Sequence, residues 1–280
     1  MAETAETRVA FGVGIVEQAG RLALSFYHAA ALSVASKGPG DVVTEADFAI
    51  ERMVRQAVAA AFPDDRFIGE EFGGEASDAG FTWLLDPVDG TVNYARHVNY
   101  FCVSLALLQA SRPIAAWILD PVEGELFWAG PDGRARLGET PIRCISRQAW
   151  PEAVIGLGFS TRHDRLLPAE LIGRLGTAGA EFRRLGAGAL CLAHVAAGRL
   201  DAYVEPHMNP WDAIGGLYIA ACAGAVTLDY LAAGGLQHGA PVFAAAPAIA
   251  APLLELLPAP FSDTPLHREN VARSAGVTAT

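Results

Sequence analysis

Residues 69–94 decide both the fold and the chemistry of this chain: Gly69-Glu70-Glu71 comes first, the apolar run Phe-Thr-Trp-Leu-Leu follows at 81–85, and Asp-Pro-Val-Asp-Gly-Thr-Val-Asn-Tyr occupies 86–94. The apolar run has the length of a buried strand, and it ends in two carboxylates, Asp86 and Asp89. Two acceptor-only groups this close repel each other unless a cation or a proton lies between them. Oxygen ligands of this kind suit hard divalent ions, especially Mg²⁺. The alternative is an ordinary polar turn, because Asp, Pro and Gly are common turn residues.

Two residues in this stretch favour the presentation of side chains and backbone to a ligand. Pro87 disfavours a helical conformation at Asp86, so the two carboxylates are expected to project from an extended turn. Gly90 lets the backbone approach a ligand closely, and the N–H groups there can hold a phosphate. The stretch therefore predicts a site that binds a metal ion and a phosphate.

Further motifs flank this stretch, upstream and downstream. Lys37 precedes the pattern Asp41-x-x-Thr44-x-x-Asp47, and the run Gly198 to Tyr203 is followed by Glu205 and then by Trp211-Asp212. In this order and spacing, the motifs resemble those of the inositol monophosphatase family, which are magnesium-dependent and lithium-sensitive phosphatases. The resemblance extends from about residue 10 to about residue 257. It implies an α/β (α+β) fold, a layered α-β-α-β-α sandwich with the site between its two halves.

The resemblance also implies a role for each acidic motif residue. One Mg²⁺ is expected on Glu70, Asp86 and the backbone carbonyl of Val88. A second is expected on Asp86, Asp89 and Asp212, with Asp86 bridging the two ions. A third and weaker ion would use Glu70 and water, so that two to three ions are bound in all.

The remaining implied roles concern the water, the phosphate and the substrate. Thr91 and Asp47 are expected to form a hydrogen-bonded pair that, helped by Glu70, activates the attacking water. The N–H groups of Gly90 and Thr91 would bind the phosphate, Glu205 would contact a substrate hydroxyl, and Lys37 would lie at the periphery of the substrate. Glu71 competes with Glu70, because adjacent residues of an extended segment face opposite ways; the resemblance favours Glu70.

The expected function is magnesium-dependent hydrolysis of a small phosphate monoester, with inositol monophosphate as the expected substrate and water as the nucleophile. Histidinol phosphate, fructose bisphosphate and a phosphoadenosine nucleotide are alternative substrates for the same constellation of residues. A non-catalytic metal-binding regulator is the alternative from another class. A coenzyme-binding oxidoreductase is not expected, because the sequence lacks the phosphate-binding glycine fingerprint.

Composition bounds the class of protein and its partners. The chain has 280 residues, of which 52% are hydrophobic, so it can bury a sizeable core as one large domain or two intimate halves. The net charge of −11 argues against a nucleic-acid partner. The four scattered cysteines indicate reduced core thiols of a cytoplasmic protein, and no signal peptide is recognised at the amino terminus. The apolar segment 242–261 is interrupted by three prolines and Glu255, which predicts a strand and a short helix and not a membrane span.

Periodicity divides the chain into two halves, 1–148 and 149–257, and a flexible tail at 258–280. In the first half we expect helices over 7–35 and 45–61 joined by a Gly/Pro loop at 37–41, and then a meandering sheet from the apolar runs at 81–85, 101–108, 114–119 and 125–128. In the second half, strands at 154–159, 182–185, 202–205 and 242–246 alternate with helices at 166–175, 188–197, 212–223 and 248–257. A homodimer is compatible with the apolar strands of 101–128, and so is a monomer.

Overall fold

A computed structural model describes residues 4–29, 32–38, 41–145, 150, 152–160 and 166–267, without the side chains of Lys37 and Asp41. The first half contains the elements α1 (Ala5–Tyr27), β1 (Val34–Gly38), β2 (Asp41–Thr44), α2 (Glu45–Ala61), β3 (Arg66–Gly69), β4 (Phe81–Asp89), α3 (Thr91–Ala95), β5 (Cys102–Gln109), β6 (Arg112–Asp120), β7 (Glu125–Ala129), β8 (Ala135–Leu137) and β9 (Thr140–Pro141). The second half contains β10 (Val154–Leu157), α4 (Leu167–Thr177), β11 (Glu181–Arg183), α5 (Gly188–Ala196), β12 (Ala202–Met208), α6 (Pro210–Cys222), β13 (Val226–Thr227), α7 (Gly235–His238), β14 (Ala240–Ala245) and α8 (Pro247–Leu256).

Two large sheets and three helical layers alternate through the molecule, and β1 and β2 form a separate two-stranded sheet. The first sheet has the strand order β3-β4-β5-β6-β7-β8-β9, and the second has the order β11-β10-β12-β14-β13. Helices α1 and α2 pack on one face of the first sheet, and α5 and α6 lie between the two sheets. Helices α4 and α8 pack on each other and against β11 and β14 of the second sheet. The predicted α-β-α-β-α sandwich is confirmed.

Apolar side chains fill both interfaces of the first sheet. On the side of α1 and α2, the fully buried rings of Trp83 and Trp117 stack with their centroids 6.0 Å apart. Gly12 of α1 lies directly against Trp117, because a β-carbon at this position would collide with the indole ring. On the other side, a β-carbon on Gly216 of α6 would lie 2.6 Å from the Leu192 β-carbon of α5. The absence of these β-carbons lets α1 approach the first sheet and lets α6 approach α5.

The beginning of the chain differs from the sequence prediction. Helix α1 ends at Tyr27 and not near residue 35, and residues 34–38 form a strand that pairs antiparallel with β2. Lys37 therefore lies on strand β1 and not in a Gly/Pro loop. The β-branched run Val42-Val43-Thr44 explains the difference, since such residues favour strand pairing and give residues 34–36 a partner.

Residues 258–267 also differ from the prediction, which assigned them to a flexible tail. Phe261 is fully buried at the start of a short 3₁₀ helix, Phe261–Asp263, and Leu266 pairs with Leu228 beyond β13. The sequence analysis missed that this polar segment contains one aromatic side chain, Phe261, which packs in the hydrophobic core next to β14. The predicted boundary at 148–149 and the rest of the predicted tail, 268–280, lie outside the described residues.

Three smaller expectations can be compared with the structure. Segment 242–261 forms strand β14 and helix α8 as predicted. All four cysteines are free, with Cys102, Cys144 and Cys191 buried. Strands β5 and β6 are covered within this chain by α1 and α6, and a homodimer remains a prediction.

One helix among the described residues meets the length and composition criteria for a membrane span. This helix is α1, and a third of its most apolar window is buried within the structure. Its residues Ile15, Val16 and Ala19 pack in the core beneath the first sheet. A core helix satisfies the same criteria, so they do not assign α1 to a membrane.

Candidate metal centre and phosphate site

Three carboxylates from separate elements converge in the structure. Each of Glu70, Asp86 and Asp212 offers one oxygen atom, and these oxygens lie within 4.8 Å of one another. Strands β3 and β4 run parallel with Gly69 opposite Leu85, and the Glu70 N–H donates to the Leu85 carbonyl at 3.2 Å. The sheet register therefore places Glu70 beside Asp86. Among the described residues, this is the group identified as able to hold a metal ion.

Asp212 reaches the first half of the chain from the beginning of α6. It is the third helical residue, and its Oδ2 accepts from the backbone N–H and the side-chain amide of Asn209, both at 3.3 Å. This capping box fixes the first turn of the helix. The Ser104 hydroxyl of β5 donates to the Trp211 carbonyl at 3.2 Å. The start of α6 is thus attached to the first sheet, which holds Asp212 close to Asp86.

The negative charge of this group is poorly compensated by the protein. Burial, followed by the charges of Glu70, Asp212 and Asp89, raises the pKa of Asp86 well above its usual range. Burial, followed by the charges of Glu70 and Asp89, does the same to the pKa of Asp212. A divalent cation would relieve this repulsion, and an all-oxygen donor set fits Mg²⁺. The residues present therefore fit the expected metal.

Asp89 lies outside the three-residue group, with its carboxylate directed toward the start of α5. Its oxygens accept from the N–H groups of Gly188 at 3.2 Å, Ala189 at 2.7 Å and Leu190 at 3.4 Å. Desolvation raises the pKa of Asp89 to about 6, and the hydrogen bonds from these N–H groups oppose that effect. Asp89 adds to the negative charge felt by Asp86 and Asp212, and its hydrogen bonds hold the start of α5 next to the site.

Val88 and Thr91 form a closed turn between the carboxylates. The Val88 N–H donates to Asp86 Oδ1 at 2.9 Å, and the Thr91 hydroxyl donates to the Val88 carbonyl at 2.9 Å. The Val88 carbonyl, which is expected to bind a metal ion, thus accepts a hydrogen bond from the Thr91 hydroxyl, which is expected to activate water. The expectation that Val88 is a ligand remains a prediction.

The predicted hydrogen bond between Thr91 and Asp47 is not made in this structure. Asp47 is the third residue of α2, and its Oδ2 accepts from the Thr44 N–H at 2.8 Å and the Thr44 hydroxyl at 2.6 Å. This capping box holds Oδ2, while Asp47 Oδ1 is buried and has no hydrogen-bond partner within the described part of the chain. Burial is the main cause that raises the pKa of Asp47 to about 7, and the charges of Glu70 and Glu71 add to it.

Gly90 has a backbone conformation that other residues rarely adopt. Its φ angle is 92°, and a β-carbon there would lie 3.0 Å from the Ala187 β-carbon and 3.1 Å from the Tyr100 carbonyl. Helix α3 begins at the next residue, Thr91, and N–H groups in a first helical turn have no intrahelical partner. The arrangement is compatible with the predicted phosphate contacts of Gly90 and Thr91.

Glu205 and Lys37 are the two predicted substrate contacts, and the structure describes the side chain of Glu205 but not that of Lys37. Glu205 lies on β12, where it accepts from the Tyr203 hydroxyl at 2.6 Å. Desolvation raises the pKa of Glu205 to about 8, and the nearby charge of Asp89 contributes to the increase. The backbone of Lys37 lies on β1, and its side chain is outside the described part of the structure.

Sequence analysis missed Glu51, which supports the turn that carries Glu70. Glu51 is fully buried; its Oε2 accepts from the Glu71 N–H at 2.8 Å, and its Oε1 accepts from the Phe72 N–H at 3.1 Å. The Arg55 guanidinium also donates to Oε1 at 2.8 Å. The available signal was its spacing on α2, where Glu51 follows Asp47 and precedes Arg55 by four residues each.

Comparison with known protein families gives a match over nearly the whole chain. The sequence model of the inositol monophosphatase family matches residues 4–259. The chain belongs to this family.

Related proteins carry two kinds of name. An inositol-1-monophosphatase of Rhizobium meliloti is 36% identical over 224 residues, which is 78% of this chain and 83% of that protein. A Nus factor SuhB of Xylella fastidiosa is 35% identical over 201 residues, covering 71% of this chain and 73% of that protein.

Solved structures show the same family fold. The extragenic suppressor protein SuhB of Bartonella henselae superposes with a TM-score of 0.82 at 28% identity, covering 92% of this chain and all of that one. An IMPase of Thermotoga maritima superposes with a TM-score of 0.78 at 26% identity, covering 89% of this chain and 96% of that one.

Proposed function

We propose that this chain is a magnesium-dependent phosphatase that hydrolyses a small phosphate monoester, with inositol monophosphate as the expected substrate. The observation that supports the proposal most directly is the convergence of Glu70, Asp86 and Asp212, whose carboxylate oxygens lie within 4.8 Å of one another. The family membership and the relatives named inositol-1-monophosphatase support the reaction class.

In this proposal, Glu70, Asp86 and Asp212 hold the metal, with the Val88 carbonyl and Asp89 as further ligands. When bound, two to three Mg²⁺ ions supply the positive charge that neutralises phosphoryl oxygens and polarises the attacking water. The net charge of the chain is −11, so binding of an anionic phosphate depends on such local positive charge.

The other residues orient the substrate and accept protons. The N–H groups of Gly90 and Thr91 donate to phosphate oxygens, Glu205 binds a substrate hydroxyl, and Lys37 assists from the periphery. Asp47 accepts the proton of the attacking water, with Glu70 and the Thr91 hydroxyl assisting. Two observations support this role: Oδ1 of Asp47 is buried without a partner among the described residues, and burial raises its pKa to about 7, close to the working pH of a general base.

Phosphate release from myo-inositol 1-phosphate tests this function. We expect turnover that requires Mg²⁺, stops in excess chelator and is lost in the Asp86→Asn variant. Asp120→Asn is the matched control, because Asp120 is also a buried aspartate whose oxygen accepts from backbone N–H groups. It lies at the end of β6, away from the proposed metal ligands in sequence. Full turnover in excess chelator would contradict the proposal.

The second candidate function is a metal-binding regulator that does not hydrolyse phosphate monoesters. The observation in its favour is that several relatives are named Nus factor SuhB. A panel of histidinol phosphate, fructose 1,6-bisphosphate, a phosphoadenosine nucleotide and inositol phosphate separates the two functions. Mg²⁺ binding without turnover of any ester in the panel would favour the regulator.

A further inference from the structure

A stacked pair of side chains lies at the rim of the candidate site. Arg184 follows β11 and Phe159 follows β10, which are parallel neighbours in the second sheet. The guanidinium carbon of Arg184 lies 4.7 Å from the centroid of the Phe159 ring, and both side chains are exposed. Stacking on an aromatic face holds a guanidinium in place and leaves its N–H edge free to bind an anion.

Two contacts place this pair next to the proposed substrate. Phe159 follows Gly158, where a β-carbon would collide with Oε2 of Glu205. One residue after Arg184, the Leu185 carbonyl accepts from the Asn93 side chain at 2.8 Å, and Asn93 belongs to the helix that begins just after Gly90. Arg184 therefore lies beside Glu205 and close to the proposed phosphate turn. Its charge lowers the pKa of Glu205, against the larger effect of burial.

The exposed guanidinium of Arg184 offsets negative charge that surrounds the site. Glu70, Asp86, Asp89 and Asp212 concentrate negative charge, which would repel any further anionic group on a substrate. Within the described residues, no carboxylate forms an ion pair with Arg184. Its neighbour Arg183, by contrast, is paired with Glu181 at 3.1 Å.

We propose that Arg184 binds a second anionic group, a phosphate or a carboxylate, on the alcohol portion of the substrate. The substrate range then includes phosphate monoesters that carry a further negative charge, beside neutral polyol phosphates. This inference rests on the proposed phosphatase function. In the reaction, water adds to phosphorus, the phosphorus–oxygen bond to the alcohol breaks, the alcohol oxygen takes a proton, and the second anionic group remains on the alcohol that leaves.

Two substrates and two arginine variants test this assignment. Fructose 1,6-bisphosphate carries a second phosphate, and myo-inositol 1-phosphate does not. We expect Arg184→Ala to lower kcat/KM for the bisphosphate about tenfold, mainly through KM, which corresponds to about 1.4 kcal/mol. For the inositol ester, which has no second anionic group, the loss should be several-fold smaller, so the ratio of the two kcat/KM values changes. Arg183→Ala, the matched control, should change kcat/KM for both substrates by no more than about twofold, as for ordinary surface substitutions.

Product inhibition gives a second readout that involves no bond cleavage. Fructose 6-phosphate retains the second phosphate, so its inhibition constant should rise about tenfold in Arg184→Ala and much less in Arg184→Lys, which keeps the charge. Circular dichroism establishes that each variant is folded.

Three outcomes would overturn the inference. An equal loss on both substrates would mean that Arg184 acts through Glu205 or the fold. Turnover of the inositol ester alone by the unmodified protein would reject the second substrate class and leave the phosphatase function standing. No turnover in Mg²⁺ of these two esters or of the other esters in the panel would reject both.

Discussion

The turn that carries Glu70 depends on the buried carboxylate of Glu51, so Glu51→Gln is an informative perturbation. The Glu51 oxygens accept from the N–H groups of Glu71 and Phe72 and from the Arg55 guanidinium. A glutamine keeps the shape but offers one acceptor oxygen, which leaves one backbone N–H facing an amide N–H. An unpaired buried donor costs about 1–3 kcal/mol, and the Arg55 guanidinium also loses its charged partner and keeps only the Gly73 carbonyl as a hydrogen-bond acceptor. We expect the free energy of unfolding to fall by about 2–4 kcal/mol.

Two measurements examine this variant. Urea unfolding gives the change in stability, and calorimetric titration with Mg²⁺ should show an affinity about 10–100-fold lower, because residues that orient ligands affect metal binding by that amount. The control is Glu170→Gln, which removes an ion pair to Arg174 whose glutamate side chain is 48% exposed. The free energy of unfolding of this control should differ from that of the unmodified protein by no more than about 0.5 kcal/mol. Equal stability of the two variants would refute the reasoning.

Three further predictions address the site and the carboxyl-terminal segment. Gly90→Ala should lower the free energy of unfolding, measured with urea, by at least about 1–2 kcal/mol, the cost of a left-handed conformation. The loss should exceed that of Gly124→Ala, because Gly124 also has a positive φ but a β-carbon there would face open space. Equal losses would argue against the tight contact with Ala187. Phe261→Ala should cost about 3–5 kcal/mol in the same assay, as expected for a fully buried aromatic, whereas an unchanged stability would mean that the segment is not packed. Burial raises the pKa of Glu205 from 4.5 to about 8, so the folded state binds more protons than the unfolded state between these values. The free energy of unfolding should therefore fall more steeply from pH 5 to pH 8 in the unmodified protein than in Glu205→Gln, and parallel pH profiles would contradict the assignment.

The convergence of the acidic residues was predictable, because several separated motifs agreed in order and spacing. Glu70 directly follows β3 and Asp86 lies on the parallel neighbouring strand β4, one residue beyond the Gly69–Leu85 pair, while Asp212 lies in the first turn of a helix between the sheets, so the layered fold brings the three together. The direction of the Asp89 carboxylate was not predictable. It depends on the N–H groups at the start of α5, which lie about a hundred residues away in sequence.

The remaining differences arise from tertiary contacts that no local pattern encodes. The sequence predicts the end of a helix at 34–35 and a loop from Lys37 onward, and these residues form a strand because β2 supplies a partner. Phe261 is one aromatic residue in a polar segment, and its burial depends on the core that receives it. Thr91 donates to Val88 and not to Asp47, whose Oδ2 accepts from Thr44 and whose Oδ1 has no partner among the described residues.

Calorimetric titration with Mg²⁺ of the unmodified protein and the Asp212→Asn variant tests the central claim most directly. If Glu70, Asp86 and Asp212 hold the metal together, the unmodified protein binds more than one Mg²⁺ and the variant loses most of this binding, while Asp120→Asn binds as the unmodified protein does. Unchanged Mg²⁺ affinity and stoichiometry in Asp212→Asn would contradict the account.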